Sequence, residues 1–480
     1  MTMMIKSRSS RPILPLLAFA LTLTACVPAL KVREARMELP STYGTATDTA
    51  DAAAVPWRTF FTDPDLRALI DSALARNQEL NIVLQEVEMA RNEVRAAKGE
   101  YLPFVGIAAG AGTEKVGEHT RNGAVEHHLP VHEEQHFPEP LPDFMAGARL
   151  SWELDIWKKL RNAKKAAVMR FLSTVEGRNF MVTRLVAEIA NSYYELMALD
   201  NQLEILRHNI AIQQDALNIV RMQKEAAKVT ELAVRRFEAE VLKNRSMQFD
   251  IQQRITETEN RINFLVGRYP QPVRRNSAVF MDLTPDSLGP GIPAQLLTHR
   301  PDIRQAELEL AATKLDVKSA KAAFLPSIGL SAGVGLNAFD AALLTTTPAS
   351  LTYEVVGDLV APLLNRSAIK AAYANANARQ LQAVYDYERT VLNAYVEVVN
   401  QLANVRNLSN SYELQKQQVE VLTSSVTISG NLFRSARADY MEVLLTQREA
   451  LESRFELVET QRHRLGAWVD MYQALGGGWR

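Results

Sequence analysis

Two stretches of the chain, residues 143–269 and 363–480, contain none of its 20 prolines. Within them apolar positions return every three or four residues. In the first, Ile189, Tyr193, Leu196, Leu199, Leu203, Leu206 and Ile210 follow this spacing; in the second, Val391, Tyr395, Val398, Leu402, Val405, Leu408 and Tyr412 do. That period is the seam of packed helices, and an interior proline would cost about 3 kcal/mol. Each stretch is expected to break once. Thr230-Glu231 can begin a new helix after Lys224 to Lys228, and Asp439 offers an N-cap for a helix carrying Val443, Leu444 and Leu451. The reading is two long helical hairpins. A helix from about residue 161 to 225 would run ~100 Å at 1.5 Å per residue, a length suited to crossing a compartment.

Four other segments alternate with period two. In 144–154, Ala146, Ala148, Leu150, Trp152 and Leu154 oppose Gly147, Arg149, Ser151 and Glu153. In 327–336 an Ile/Leu/Ala/Val face opposes Ser and Gly, and in 351–360 Leu351, Tyr353, Val355 and Leu359 oppose Thr352, Glu354 and Asp358. The run 104–112 alternates more weakly. Strands of about ten residues with one apolar face match the staves of a membrane β-barrel; the alternative is a half-buried soluble sheet. Open sheet edges are not tolerated in lipid, and four strands cannot close a barrel. Two copies would supply eight strands and a filled pore. Three supply twelve and room for a conduit. The pattern therefore calls for an oligomer and favours a trimer, with Arg149, Glu153, Glu354 and Asp358 facing a wet lumen.

The order of elements occurs twice. Ala97-Lys98-Gly99-Glu100-Tyr101-Leu102-Pro103 recurs as Ala320-Lys321-Ala322-Ala323-Phe324-Leu325-Pro326, and Asn191-Ser192-Tyr193-Tyr194-Glu195-Leu196 resembles Asn393-Ala394-Tyr395-Val396-Glu397-Val398. Each half reads helix, helix, strand, strand, long helix, long helix. The expected organisation is a signal peptide over 1–25, a lipid-anchored tether over 26–56, a first repeat over 57–266 with strands near 103–113 and 144–155, a linker over 267–298, a second repeat over 299–475 with strands near 326–336 and 350–360, and a tail over 476–480. The fold class is mainly α with a membrane β-barrel part.

Composition narrows the function. With 54 Lys+Arg against 55 Asp+Glu the net charge is -1, which argues against a nucleic-acid partner. After the N-terminus no run reaches 18 consecutive apolar residues, so no membrane-spanning helix is available. Lys6, Arg8 and Arg11 precede an apolar run, Ile13 to Leu23, in the layout of a signal peptide. The run ends Leu23-Thr24-Ala25-Cys26, which resembles the bacterial lipobox, and Cys26 is the chain's only cysteine. That cysteine would carry a covalent lipid such as palmitate, and Val27 after it is compatible with the outer membrane. No other cofactor is expected.

Leu297-Thr298-His299-Arg300-Pro301-Asp302-Ile303-Arg304-Gln305-Ala306-Glu307, followed by Phe324-Leu325-Pro326, resembles the signature of TolC-like outer membrane factors, and more closely the lipidated efflux channels of tripartite (resistance-nodulation-division type) systems. Pro301 with Asp302 beside it is also a plain helix-start signal. The resemblance implies a homotrimer with a 12-stranded barrel in the outer membrane of a Gram-negative bacterium and a long periplasmic α-barrel. It implies two protein partners, a periplasmic adaptor (membrane fusion protein) and an inner-membrane efflux pump. Carried over, the adaptor-docking hairpin tips are Ala226, Ala227, Lys228, Val229, Thr230, Ser435, Ala436 and Arg437. Ala227 and Ala436 stand where such tips usually have glycine. The periplasmic gate falls on Met441 and Leu445, one helical turn apart, with Asp439 and Glu442 supplying nearby charge. Members often have an acid at the second of these positions; Leu445 departs toward an apolar seal.

His132-Glu133-Glu134-Gln135-His136 matches the zinc-hydrolase pattern H-E-x-x-H, but Pro130, Pro138, Pro140 and Pro142 flank it, and the pattern needs a helix to bring both histidines together. No metal site or catalytic residue is expected; opportunistic metal binding by loop 119–136 stays open. No phosphate-binding loop is present, so energy must come from a partner. The expected function is a passive exit duct for drugs and other toxic small molecules. A metal-ion efflux or type I protein secretion channel is the alternative, and a lipid-anchored coiled-coil scaffold without a pore is the reading from another class.

Overall fold

A computed structural model describes residues 27–30, 33–36, 39–43, 54–131, 136–284, 289–435 and 437–479. Cys26, His132 to Gln135 and Ala436 lie outside the described residues. The first half contains α1 (Trp57–Phe60), α2 (Pro64–Arg76), α3 (Gln78–Tyr101), β1 (Phe104–Glu114), α4 (Arg121–His128), β2 (Leu141–Leu154), α5 (Lys159–Glu225) and α6 (Glu231–Leu265). The second contains α7 (Leu296–His299), α8 (Pro301–Ala322), β3 (Ser327–Ala338), β4 (Leu351–Val360), α9 (Ser367–Arg434) and α10 (Tyr440–Ala474). No described helix is long and apolar enough to cross a membrane. The chain divides into two compact units, one built from residues 1–34, 89–171 and 308–384, the other from 35–88, 172–307 and 385–480.

The first unit holds one antiparallel sheet of order β1-β2-β3-β4, so β1 and β4 are its edges. Its register sorts the side chains as alternation requires. Ile107, Ala148, Val334 and Tyr353 form one row of the apolar face, and Val105, Leu150, Ala332 and Val355 the next. Within the chain this face is bare: Ile107 is 90% exposed and Tyr353 81%. On the opposite face lie Gly106, Arg149, Gly333 and Glu354, and beside them Glu153, Gly329 and Asp358. Small residues there have a steric cause. A Cβ added to Gly147 would sit 2.6 Å from the Val334 carbonyl oxygen, and one on Gly335 would sit 2.7 Å from that of Ala146, so neither strand could approach its neighbour this way with a larger residue.

The second unit packs the two hairpins and the short N-terminal helices around one core. Phe60 stacks on Trp468 and Tyr472 with ring centroids 3.9 and 3.8 Å away, beside fully buried Leu66, Ile70, Ile189, Leu196 and Met197. Asp63 caps α2, accepting from the amides of Asp65 and Leu66, and its other carboxylate oxygen accepts from the Tyr193 hydroxyl at 2.9 Å. Burial, then the nearby Asp63 charge, raises the Tyr193 pKa well above the usual phenol range. The linker 267–298 is held to this unit: Asn201 donates to the Ser277 carbonyl at 2.8 Å, Gln461 donates to the Leu283 carbonyl at 2.7 Å, and Phe280 is fully buried.

Three expectations change in detail. The loop after β1 contains a helix, α4, started by Thr120, whose hydroxyl accepts from the Gly123 amide at 3.1 Å. Thr230 and Asp439 do stand at the N-caps of α6 and α10, but neither side chain makes a capping hydrogen bond. Part of the tether is docked: the Arg36 amide donates to Glu388 at 3.0 Å, Tyr395 donates to the Thr42 carbonyl, and Tyr43 is buried against the Tyr395 ring.

Candidate functional site: hairpin tips and the polar sheet face

Helix α5 ends in a tight reversal. The Lys228 amide closes back on the Gln223 carbonyl at 2.8 Å and the Ala227 amide on Lys224 at 2.9 Å, the pattern of a helix stop with a left-handed residue after it. Ala227 occupies that position with φ of 53°. A Cβ there costs about 1 kcal/mol, which glycine would avoid. Lys224 pairs with Glu231 across the turn, and this contact with Lys224 holds the Glu231 carboxyl below its usual range. At the other tip the Arg437 amide closes on the Leu432 carbonyl at 2.9 Å. Ala227→Gly is expected to slow hydrogen exchange at the Ala226–Thr230 amides by removing the left-handed strain, and Ala227→Val to speed it; equal exchange in all three proteins would show that the turn stores no strain.

Behind the tips a small core of Leu217, Val220, Ala233, Val234, Phe237 and Val241 takes Phe433, Tyr440 and Leu444 against it. With Tyr440 and Leu444 turned inward, Met441 and Leu445 fall on the outer face of α10, 38% and 45% exposed. Asp439 and Glu442 are exposed beside them. Thus a single chain leaves all four residues uncovered instead of packing them into its own core. Sequence reasoning missed Arg236, whose guanidinium donates to the Met441 sulfur at 2.8 Å; nothing in a local pattern joins residues on two different helices.

A separate candidate site is the polar face of the sheet. Arg149 and Glu354 flank Gly333 in one row, and Glu153 and Asp358 flank Gly329 in another. The Asp358 carboxylate lies directly over Gly329, where a Cβ would come within 2.4 Å of its oxygen. Lys159, at the start of α5, pairs with Glu153 at 2.6 Å. No group of histidines, cysteines or acids among the described residues is placed to hold a metal ion.

The signature around Pro301 has a structural task. Arg300, 5% exposed, donates to Asp302 through two nitrogens at 3.0 and 2.6 Å, to Glu397 of α9 at 2.6 Å, and to the Ala474 carbonyl that ends α10 at 2.9 Å. Burial alone would lower the guanidinium pKa; the two carboxylates outweigh it and raise the value. One side chain thereby joins three helices.

Comparison with known proteins agrees with this architecture. The family described as outer membrane efflux protein matches residues 69–268 and 292–477. The chain is 26% identical over 469 residues to the cation efflux system protein CusC of Escherichia coli O6:H1, covering 96% of this chain and 97% of that one. It is 27% identical over 469 residues to the pyoverdine export outer membrane protein OpmQ of Pseudomonas aeruginosa, with 97% of each covered. Among solved structures, CusC superposes with a TM-score of 0.81 at 25% identity, over 94% of this chain and all of the other. The open-state MtrE outer membrane channel of Neisseria gonorrhoeae superposes with a TM-score of 0.83 at 22% identity, over 95% and 99%. The repeated strand pair, the two long hairpins and the family match over both halves lead to one conclusion: this chain belongs to the outer membrane efflux protein family, and it is an outer-membrane efflux channel with the TolC-like fold.

Proposed function

We propose that three copies of the chain close one 12-stranded barrel, β4 of each pairing with β1 of the next, and pass small molecules from a periplasmic adaptor and inner-membrane pump to the exterior. The observation that carries this is the sheet itself. All ten residues of β4 are exposed, as are most of β1, and an unpaired edge cannot stay in lipid. Closure by copies turns the bare apolar face to lipid and the face of Arg149, Glu153, Glu354 and Asp358 to the lumen. The α5–α6 and α9–α10 tips, at Ala226 to Thr230 and Ser435 to Arg437, are the adaptor-docking points, and Cys26 is the site of lipid attachment. Relatives are named for cation efflux, pyoverdine export and toluene efflux, chemically unlike cargo, which supports substrate choice by the pump.

Reconstituted protein is expected to migrate as a trimer and give discrete conductance steps in a planar bilayer. Glu354→Lys with Asp358→Lys is expected to shift the reversal potential in a salt gradient toward anions, since six carboxylates in the trimer become six ammonium groups. A monomer without conductance would leave a lipid-anchored scaffold as the function. Conductance with an unchanged reversal potential would remove these residues from the lumen.

A further inference from the structure

The turns that leave β2 and β4 share a feature that local sequence similarity does not announce. Ile156-Trp157 follows β2 and Leu363-Leu364 follows β4. In each turn the next residue, Lys158 or Asn365, has a left-handed backbone, with φ of 62° and 49°. Such a conformation is disfavoured for lysine by about 1 kcal/mol, and strain of this kind persists where the surroundings enforce it, commonly at functional places. Its effect here is to present an apolar pair to the outside twice. Ile156 and Trp157 are 50% and 46% exposed, Leu363 and Leu364 61% and 89%.

The first pair is held firmly despite its exposure. The Trp157 indole donates to the Pro326 carbonyl at 2.7 Å, at the foot of β3. Asp155 accepts from the amides of Leu160 at 3.1 Å and Arg161 at 2.9 Å, which fixes the turn to the start of α5. Since β2 and β3 are the two central strands, Trp157 sits inside the sheet's width, whereas Leu363-Leu364 follows the edge strand β4. The pairs also continue the apolar face of the sheet, whose last rows are Trp152 with Leu330 and Leu154 with Ile328 and Leu359.

Charge lies just beyond. Lys158 and Lys165 are exposed and Lys164 is half-buried, and none has an ion-pair partner among the described residues; Lys370, after the second pair, is likewise exposed and unpaired. Apolar and indole groups at the end of a lipid-facing sheet, followed at once by free ammonium groups, match the chemistry of a bilayer boundary: acyl chains first, then phosphate. We propose that Ile156-Trp157 and Leu363-Leu364, with Lys158, Lys164 and Lys165, form an interfacial anchor that binds the phosphate headgroups of anionic phospholipids and sets the depth of the sheet in the membrane. This rests on the sheet lying in the outer membrane.

The test uses full-length protein in vesicles of phosphatidylethanolamine and phosphatidylglycerol. NBD attached at Ile156→Cys is expected to be quenched more by a headgroup spin label than by aqueous iodide or by a spin label deep in the acyl region, after subtraction of signal from the unsubstituted protein. Native mass spectrometry is expected to show several-fold less phosphatidylglycerol retained by Lys158→Glu/Lys165→Glu, with phosphatidylethanolamine unchanged. Quenching dominated by iodide overturns the lipid contact. Protection from all three quenchers means that protein covers the pair, and overturns it equally. Unchanged phosphatidylglycerol retention overturns the headgroup assignment. Conductance recorded on the same preparation separates this proposal from the pore reading: a conducting channel with an iodide-quenched label fails only the anchor.

Discussion

Leu445→Asp combined with Met441→Ser is expected to raise the single-channel conductance of the reconstituted protein several-fold, with little change in its stability. Both side chains point away from the core behind the tips, at 45% and 38% exposure, and Tyr440 and Leu444 supply the inward packing of that turn. Surface substitutions outside the core shift stability by no more than about 0.5 kcal/mol, so a loss of fold would not explain a change in conductance. In the trimer, three copies of an apolar pair one helical turn apart can close a narrow aperture by excluding water, and polar replacements would let water and ions back in. Met441→Ser also releases Arg236 from its sulfur contact. Arg236→Ala added to the double variant therefore serves as a control: raised conductance that persists belongs to the lost apolar seal, and conductance that falls back belongs to the freed guanidinium. Conductance equal to that of the unsubstituted channel would mean that the gate is not formed by Met441 and Leu445.

Arg300→Ala is expected to have the largest effect on stability. Removing one member of a buried ion-pair network costs about 3–5 kcal/mol; here the loss falls toward the lower end, because Asp302 stays mostly buried without its counter-charge while Glu397, its side chain 42% exposed, can turn to water. Here Asp302, Glu397 and the Ala474 carbonyl would all be left short of a donor. The loss is expected to be local first, with hydrogen exchange accelerating at the end of α10 and the first turns of α8. Arg300→Lys keeps the charge but not the planar fork that serves three acceptors at once, so its exchange should fall between the two. Exchange in Arg300→Ala that matches the unsubstituted protein would show that the network adds no stability.

The gate pair and Arg300 differ in how visible they are in the sequence. Proline-free stretches with a three-to-four spacing point to the long helices, because helix periodicity and helix breakers act locally. Period-two alternation likewise points to the four strands and to which residues share a face. Arg149, Glu153, Glu354 and Asp358 can be grouped on alternation alone, and the register then brings them together across Gly333 and Gly329. Helix α4 was hidden, since its eight residues lie among prolines and histidines and have too little apolar spacing to register as a helix. The roles of Thr230 and Asp439 were half visible: the residue type marks the helix start, but whether the side chain caps depends on its rotamer and neighbours. Arg300 could be read only as part of a motif, because its partners Glu397 and Ala474 stand 97 and 174 positions away.

By itself the sequence determined the long helices, the four strands, the doubled order and the apolar face that demands lipid, properties carried by the residue types along each segment. Only the tertiary structure decided that Arg300 joins three helices, that Arg236 meets Met441, that Gly147 and Gly335 let two strands close up, and that Lys158 and Asn365 turn their apolar neighbours outward. Those facts depend on distances between segments far apart in the chain and on backbone angles set by packing, and no short-range pattern of residue types encodes either.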